Sequence, residues 1–321
     1  MRWKDRKGSK HVEDRRGEAV PSGTRRGMGL AGGLGIGKVL FSLFARGSGK
    51  TKLMLLAGIV IAMVVFKFNP LSLIGAGPAT MGSNSKTEQT TPRKPPPNDE
   101  YGDFLSKVNG MNERFWAKMI PHFNRQTGRS IRFKPAKMAI YSVGTRMDDG
   151  SVADARMGPF YLPAENRIYI DPTFFEQMRD DFGVEGEFAR AYVVSHEYGH
   201  HIQNLMGRTT ALHSKHGRIS KKEYNRESVR LELHADFLAG VFAHHDDKNF
   251  NSLDRADILS AMKCAKAIGD DILQKRAGQR VNSDHFTHGT SEQRARWFMQ
   301  GYQTGDLRVG EQIYTMDYNR L

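Results

Sequence analysis

An uncharged apolar run close to the N-terminus limits most strongly how this 321-residue chain can fold. The run is Leu53–Phe66, and as a helix it would be about 21 Å long at 1.5 Å per residue. Extending it through Lys67, which can snorkel, to Ile74 reaches the roughly 30 Å of a hydrocarbon core. A buried core helix is the alternative, but it would rarely lie between a basic Gly-rich segment and a polar linker. The pattern therefore predicts one transmembrane anchor over 53–75.

Charge is concentrated before this run. Residues 1–52 hold thirteen basic and four acidic side chains, which is +9 of the chain's formal +13. The excess of Lys and Arg ahead of the span predicts a cytoplasmic N-terminus and a single-pass protein of the cell membrane. Residues 1–52 are then a basic cytoplasmic tail, and everything beyond the anchor is extracytoplasmic. Since the charge lies in a tail and not on a folded face, we expect no nucleic-acid partner; a nucleic-acid-binding protein that uses this tail is a rival hypothesis.

Residues 76–100 are rich in Pro, Ser, Thr and Asn and contain almost no large apolar side chain. Such a segment cannot bury enough surface to offset the entropy of ordering, so we expect a disordered linker. The chain has one cysteine, Cys264. This excludes an internal disulfide framework and a zinc site built from several thiolates.

Residues 101–321 have a globular composition and suffice for one substantial core. Apolar periodicity and breaker residues predict helices over 102–120, 188–205, 224–244, 256–273 and 291–302, the last with Ser291 as N-cap. Strands are predicted within 131–143 and at 166–171. The fold class is therefore α+β, mainly helical with a small sheet.

His196, Glu197 and His200 have the spacing His-Glu-x-x-His within a predicted helix. Side chains at i and i+4 share one helical face, so both imidazoles can bind the same metal ion. Glu197 lies about 100° round the helix from His196. From there it can take a proton from a water on that metal and later deliver it to a leaving amine.

A third ligand is predicted in the next long helix. Glu232 follows His200 by thirty-two residues, and Asp236 lies one turn further on the same face. Two histidines, one glutamate and an open fourth position are typical of catalytic zinc, so Zn²⁺ is the expected cofactor. Asp236 could hold the distal ring nitrogen of a ligand histidine. His234, on the opposite side of the helix, is expected at the surface.

Four further side chains have interpretations of their own. His288 lies in a loop before a helix, where it could stabilise an oxyanion or only hold the loop. Arg294 could orient that helix or bind a carboxylate. His201 is expected to be structural, and Cys264, in an Ala-rich helix, to serve packing.

The sequence resembles a known family, the bacterial putative neutral zinc metallopeptidases. The resemblance extends over nearly the whole chain. It is carried by these segments: Met1-Arg2-Trp3, Val12-Glu13-Asp14-Arg15-Arg16-Gly17, Met157-Gly158-Pro159-Phe160-Tyr161, Ile168-Tyr169-Ile170-Asp171, the His196 motif, Glu232–Asp236, Ala267-Ile268-Gly269-Asp270-Asp271 and Thr287-His288-Gly289-Thr290-Ser291. It implies a membrane-anchored, zinc-dependent peptidase with a zincin-like domain over 101–321. By this likeness the zinc ligands are His196, His200 and Glu232, with Glu197 as catalytic base; the spacing to Asp236 is similar to that of gluzincins.

The sequence thus predicts a membrane-anchored zinc metallopeptidase that acts on a protein or peptide substrate. Zinc-bound water, activated by Glu197, would attack the peptide carbonyl, and the strand 167–171 would pair with an extended substrate along an open edge. The alternative is a catalytically inactive scaffold or adaptor that zinc stabilises. Neither substrate identity nor oligomeric state can be deduced from the sequence.

Overall fold

The computed structural model of the protein describes residues 1–18 and 98–321. This part is mostly helical. The helices are α1 (Glu100–Thr127), α2 (Thr173–Phe182), α3 (Glu187–Leu205), α4 (Arg208–Lys215), α5 (Lys221–Phe250), α6 (Arg255–Ala267), α7 (Asp270–Arg276), α8 (Ser291–Thr304) and α9 (Leu307–Gly310).

The strands form two small sheets. They are β1 (Val12–Asp14), β2 (Lys137–Ile140), β3 (Gly144–Arg146), β4 (Val152–Asp154), β5 (Phe160–Leu162) and β6 (Arg167–Ile170). The four-stranded sheet has the order β1-β2-β6-β5, in which β1, β2 and β6 are parallel and β5 is antiparallel to β6. Strands β3 and β4 form a separate antiparallel pair. The α+β class with a small sheet is confirmed.

The predicted helices occur, with two differences. The predicted helix 256–273 is two helices, α6 and α7, because the backbone is extended at Gly269, where the backbone of Ser291 packs closely. The N-cap of α8 is Thr290 and not Ser291. Thr290 accepts from the backbone N–H of Gln293, whose side chain accepts in return from the Thr290 N–H, which completes a capping box.

The first residues of the chain belong to the folded body, which differs from the predicted tail over 1–52. Strand β1 pairs with β2 in the register Val12↔Met138 to Asp14↔Ile140. Trp3 is 2% exposed and packs edge-on against Phe104 of α1, with ring centroids 5.0 Å apart. Apolar burial and strand pairing together outweigh the local excess of charge in residues 1–18.

The predicted anchor 53–75 lies outside the described residues, as does the predicted linker up to residue 97. Within residues 1–18 and 98–321, no helix is both long enough and apolar enough to cross a bilayer. The predicted linker ends earlier than expected, because α1 begins at Glu100.

Strand β6 is not an open edge, contrary to the expectation for 167–171. It lies between β2 and β5, and its four residues are buried. The edge on that side of the sheet is β5, which contacts α3. A substrate that extends this sheet would therefore meet β5.

The main core joins the sheet to α1, α3, α5, α6 and α8. Fully buried side chains from different layers meet there, among them Trp116, Ile168, Tyr198 and Phe237. Close contact between α3 and α5 depends on Gly199, because a Cβ there would lie only 3.0 Å from the carbonyl oxygen of Ala235. This approach brings the two helices that carry the predicted ligands together.

Candidate metal centre

Three predicted ligands converge between α3 and α5. The Nε2 atoms of His196 and His200 are 3.1 Å apart. Glu232 directs Oε2 to within 3.2 Å of His196 Nε2 and Oε1 to within 3.5 Å of His200 Nε2. Each of these three residues offers one possible ligand atom, and the three atoms lie within 4.8 Å of one another. This is the group of possible metal ligands found among the described residues.

The spacing of these atoms fits tetrahedral zinc. Zn–N and Zn–O bonds of about 2.0–2.2 Å place neighbouring donors of a tetrahedral site about 3.3 Å apart. The two imidazole nitrogens are 3.1 Å apart, and each has one oxygen of Glu232 close to that distance, Oε2 at 3.2 Å from His196 and Oε1 at 3.5 Å from His200. Two imidazoles and one carboxylate also leave a fourth position for a reactant, so these residues fit a catalytic zinc ion.

Asp236 takes the supporting position predicted for it. His196 donates from Nδ1 to Asp236 Oδ1 at 2.7 Å, which leaves Nε2 directed at Glu232 and His200. Burial alone would lower the pKa of His196, but the Asp236 carboxylate outweighs it and raises this pKa to about 9. A carboxylate behind a ligand histidine fixes the ring orientation and raises its basicity.

Glu197 is buried, 8% exposed, next to the converging ligands. Burial raises the pKa of its carboxyl above the ordinary value, although His200 and His196 act in the opposite direction. The backbone N–H of Tyr161, on edge strand β5, also acts to lower this pKa. Strand β5 contacts α3, so Glu197 lies on the helix that adjoins the edge of the sheet.

His288 is buried in the loop before α8, and Asp270 holds it there. Asp270 Oδ2 accepts the backbone N–H groups of Thr287, His288 and Gly289 at 2.7, 2.6 and 3.1 Å. Asp270 Oδ1 lies 3.2 Å from His288 Nδ1. Burial alone would lower the pKa of His288, but Glu232 and then Asp270 raise it above its ordinary value. The ring is thus within electrostatic reach of Glu232.

Comparison with known proteins places the chain in a family. Residues 1–312 match the family described as putative neutral zinc metallopeptidase. The chain belongs to this family. Uncharacterized protein YpfJ of Escherichia coli K12 is 35% identical over 306 residues, which cover 95% of this chain and 96% of YpfJ. Uncharacterized protein Rv2575 of Mycobacterium tuberculosis is 38% identical over 216 residues, 63% of this chain and 67% of that protein. No solved structure matches the chain.

In this family member, a hydrogen bond to Gln203 orients His200, a role that the sequence patterns did not predict. His200 donates from Nδ1 to Gln203 Oε1 at 2.9 Å, and Gln203 Nε2 donates to the Leu231 carbonyl at 2.6 Å. Gln203 is fully buried. Gln203 lies three residues after His200 on the same helical face, and this spacing could have predicted the contact.

His234 is not at the surface, which contradicts the prediction for it. The ring is 1% exposed, and its Nδ1 accepts from Tyr314 Oη at 2.9 Å and from Gln203 Nε2 at 3.3 Å. The helical wheel correctly separated it from Glu232, but the C-terminal segment around Tyr314 covers that side of α5. No local pattern in α5 could reveal this cover.

The other three side chains singled out in the sequence, those of His201, Cys264 and Arg294, make contacts within the fold. His201 donates from Nε2 to the Lys134 carbonyl at 2.6 Å, as expected for a structural histidine. Cys264 is a free thiol, 1% exposed, and packs in the core. Arg294 binds a carboxylate, that of Asp236, with Nε to Oδ2 at 2.8 Å.

Proposed function

We propose that the protein is a zinc-dependent peptidase of zincin-like architecture that hydrolyses peptide bonds in a protein or peptide substrate. One observation carries the proposal. His196, His200 and Glu232 each bring one possible ligand atom to within 4.8 Å of the other two, beside the buried carboxylate of Glu197. Membership in the zinc metallopeptidase family supports the same metal and reaction class.

A Zn²⁺ ion held by these donors would act as a Lewis acid, which makes water nucleophilic near neutral pH and polarises a carbonyl. The proton of the attacking water is then transferred by residues of the protein. Glu197 has a raised pKa, which suits a group that takes a proton from attacking water and passes it to the leaving amine.

His288 is the proposed donor to the oxyanion that forms when water attacks the carbonyl. Asp270 engages Nδ1, so the opposite nitrogen, Nε2, would make this bond. Glu232 and Asp270 raise the pKa of His288 above its ordinary value, and a charged N–H donor binds a developing negative charge more strongly than a neutral one.

Edge strand β5 is the proposed seat of an extended substrate. Among the described residues β5 pairs with β6 alone, and it contacts α3, the helix that carries Glu197. A peptide added to β5 by backbone hydrogen bonds would pass the catalytic glutamate. We also propose that residues 53–75 attach the protein to the cell membrane, which the apolar run Leu53–Phe66 supports.

Replacing Glu197 by Gln tests the assignment. The variant should keep its Zn²⁺ affinity, because this substitution leaves all three donors intact, but lose cleavage of a peptide library by at least about a hundredfold. Zinc content and cleavage are measured on the same preparation. Glu185→Gln, the same change at an exposed position just before α3, is the matched control and should leave both unchanged.

Two outcomes would contradict the proposal. A Glu197→Gln protein that still cleaves peptides would remove the glutamate from the mechanism. A wild-type protein that binds zinc and cleaves nothing in the library would favour the inactive scaffold or adaptor.

A further inference from the structure

A buried ionic cluster lies behind His196, on the side away from the converging donors. Arg294 of α8 is 2% exposed, and Asp236 of α5 is fully buried. Arg294 reaches Asp236 at two points, from Nε to Oδ2 at 2.8 Å and from Nη2 to Oδ1 at 2.9 Å. Tyr192 of α3 donates to the same Oδ1 at 2.5 Å.

This arrangement leaves Asp236 a single orientation. Its Oδ1 receives bonds from His196, Tyr192 and Arg294, and its Oδ2 is held by Arg294. A carboxylate removed from water is costly without a cation, and a two-point guanidinium contact also fixes its rotation. The orientation of the His196 ring therefore depends on a residue of α8, fifty-eight positions beyond Asp236 in the chain.

We infer that Arg294 is a positioning residue for His196, acting through Asp236, and that it increases the affinity of the site for Zn²⁺. This inference rests on the proposed zinc site. Arg294 Nη2 also lies 3.4 Å from His196 Nδ1, but both nitrogens are donors toward Asp236, so the bond that orients the ring is the one to Asp236. Arg294 does not contact the ring nitrogen Nε2 that faces the other proposed ligands. Its effect is to hold the carboxylate that aims Nε2 of His196, so that less conformational freedom is lost when the ion binds.

A double-mutant cycle on the full-length protein tests this inference. Zn²⁺ affinity is measured by competition with a chromophoric chelator for wild type, Asp236→Ala, Arg294→Met and the double variant. Each single change should weaken binding about 10- to 100-fold. Because both residues act on His196 along one path, the double variant should bind within about threefold of the weaker single variant. Arg294→Lys, which keeps the charge but not the two-point contact, should fall between wild type and Arg294→Met.

Arg167→Met is the matched control. Arg167 is an equally buried arginine, 3% exposed. It donates to Glu13 at 2.5 Å and is not part of the group of proposed metal donors. Its loss should lower the melting temperature and leave Zn²⁺ affinity of the folded protein unchanged. A single variant that leaves the Asp236 or the Arg294 charge unpaired can fail to fold. In that case the Zn²⁺ affinity of the double variant, which lacks both charges, is compared with that of Arg294→Lys.

Wild-type affinity in Arg294→Met or Arg294→Lys would overturn the inference, as would losses that multiply in the double variant. A wild-type protein that binds no Zn²⁺ would instead contradict the proposed function. The two failures are therefore distinguishable without a measurement of peptide cleavage.

A second inference comes from the contact between residues 1–18 and the start of the described part 98–321. Arg16 Nη1 donates to Asp99 Oδ1 at 3.0 Å, and a second contact joins Arg16 Nη2 to Asp99 Oδ2. Arg16 also binds Asp14, the last residue of β1. An ion pair thus joins the two described parts of the chain, next to a strand of the main sheet.

This contact is incompatible with one membrane crossing between the two parts. A single span would place residues 1–18 and 98–321 on opposite sides of roughly 30 Å of hydrocarbon. Strand pairing of β1 with β2 and burial of Trp3 require direct contact between the two parts. We propose that residues 1–18 and 98–321 occupy the same compartment of the cell.

Cysteine labelling in intact cells tests this second proposal. Lys10→Cys and Asp149→Cys add thiols at exposed positions in the two parts, and the parent chain, whose Cys264 is 1% exposed, is the blank. With a membrane-impermeant maleimide, both positions should be labelled, or both protected until the cells are opened. Labelling of one position alone in intact cells, with the other labelled only after lysis, would overturn the proposal.

Discussion

The two ligand histidines differ in the residues that support them. His196 is held by a carboxylate, Asp236, whereas His200 is held by a neutral amide, Gln203. A bond to an ionised acceptor is roughly twice as strong as one between neutral groups. The two histidines should therefore contribute unequally to the proposed metal site, although the sequence motif presents them as equivalent.

Gln203→Ala should weaken Zn²⁺ binding about tenfold, because the His200 ring loses the acceptor that orients it. The loss should be smaller than for Asp236→Ala, as the bond removed is between neutral groups. Chelator competition measures both. Asn204→Ala, whose side chain contacts Tyr161 and not the ligands, is the control and should bind like wild type. Equal losses for Gln203→Ala and Asp236→Ala would contradict this ranking.

His234 should make the metal-free protein sensitive to acid. Burial lowers its pKa to about 3, whereas the unfolded chain has the ordinary value of 6.5. Between these values the unfolded state binds more protons, so the contribution of His234 is complete above pH 6.5 and is lost as the pH falls toward 3. The slope for one proton is at most about 1.4 kcal/mol per pH unit.

Denaturant unfolding of the metal-free protein at a series of pH values measures this slope. His234→Gln, which keeps a buried polar side chain but does not titrate, should show a shallower decline below pH 6.5 than wild type. Parallel curves for the two proteins would show that His234 is not buried in its neutral form.

At the level of elements, the site depends on how closely α5 and α8 pack. Gly301 of α8 lies against the backbone of α5, and a Cβ at this position would overlap the carbonyl oxygen of Phe237. Phe237 follows Asp236 directly, and Gly301 lies on the helix that carries Arg294. The helix contact and the ion pair behind His196 are therefore parts of one packing arrangement.

Gly301→Ala should push the two helices apart. We expect a loss of stability of about 1–3 kcal/mol, as for other overpacked cores, together with weaker Zn²⁺ binding as Arg294 moves from Asp236. Thermal unfolding and chelator competition measure the two effects. Arg296→Ala, at an exposed position of the same helix, should change neither. A stable Gly301→Ala protein of wild-type affinity would show that the helices can separate without disturbing the site.

At the scale of the whole molecule, the folded unit is made of two separated stretches of chain. Residues 1–18 supply β1 and the buried Trp3, while residues 98–321 supply the rest of the body and all proposed site residues. A fragment that begins at residue 98 would leave the edge of β2 unpaired and the Trp3 site on α1 exposed.

A chain in which residue 18 is joined to residue 98 by a short Gly/Ser linker should fold as the full-length protein does. The Arg16–Asp99 contact brings the two ends together, so a few flexible residues suffice. Its melting temperature and Zn²⁺ affinity should match the full chain, whereas residues 98–321 alone should melt lower or aggregate. A fragment 98–321 as stable as the joined chain would mean that β1 and Trp3 contribute nothing to the fold.

Sequence patterns predicted the parts of the site that depend on local helical geometry. His196, Glu197 and His200 lie within one turn, and Glu232 and Asp236 within another, so spacing alone places each set on a face. The same patterns did not predict that Gln203 orients His200, and they left two roles open for Arg294. The roles of Gln203 and Arg294 depend on the residues that each one contacts, and the residue that Arg294 contacts lies on another helix.

The proposed metal donors, the helices that carry them and the α+β class could be predicted from the sequence, because they follow from short-range periodicity and side-chain chemistry. Four features became visible in the fold alone: residues 1–18 join the sheet, β5 and not β6 lies at its edge, His234 is buried and Arg294 pairs with Asp236. Burial and ion pairing depend on contacts between residues tens to hundreds of positions apart, and such contacts produce no periodic pattern in either partner's own segment.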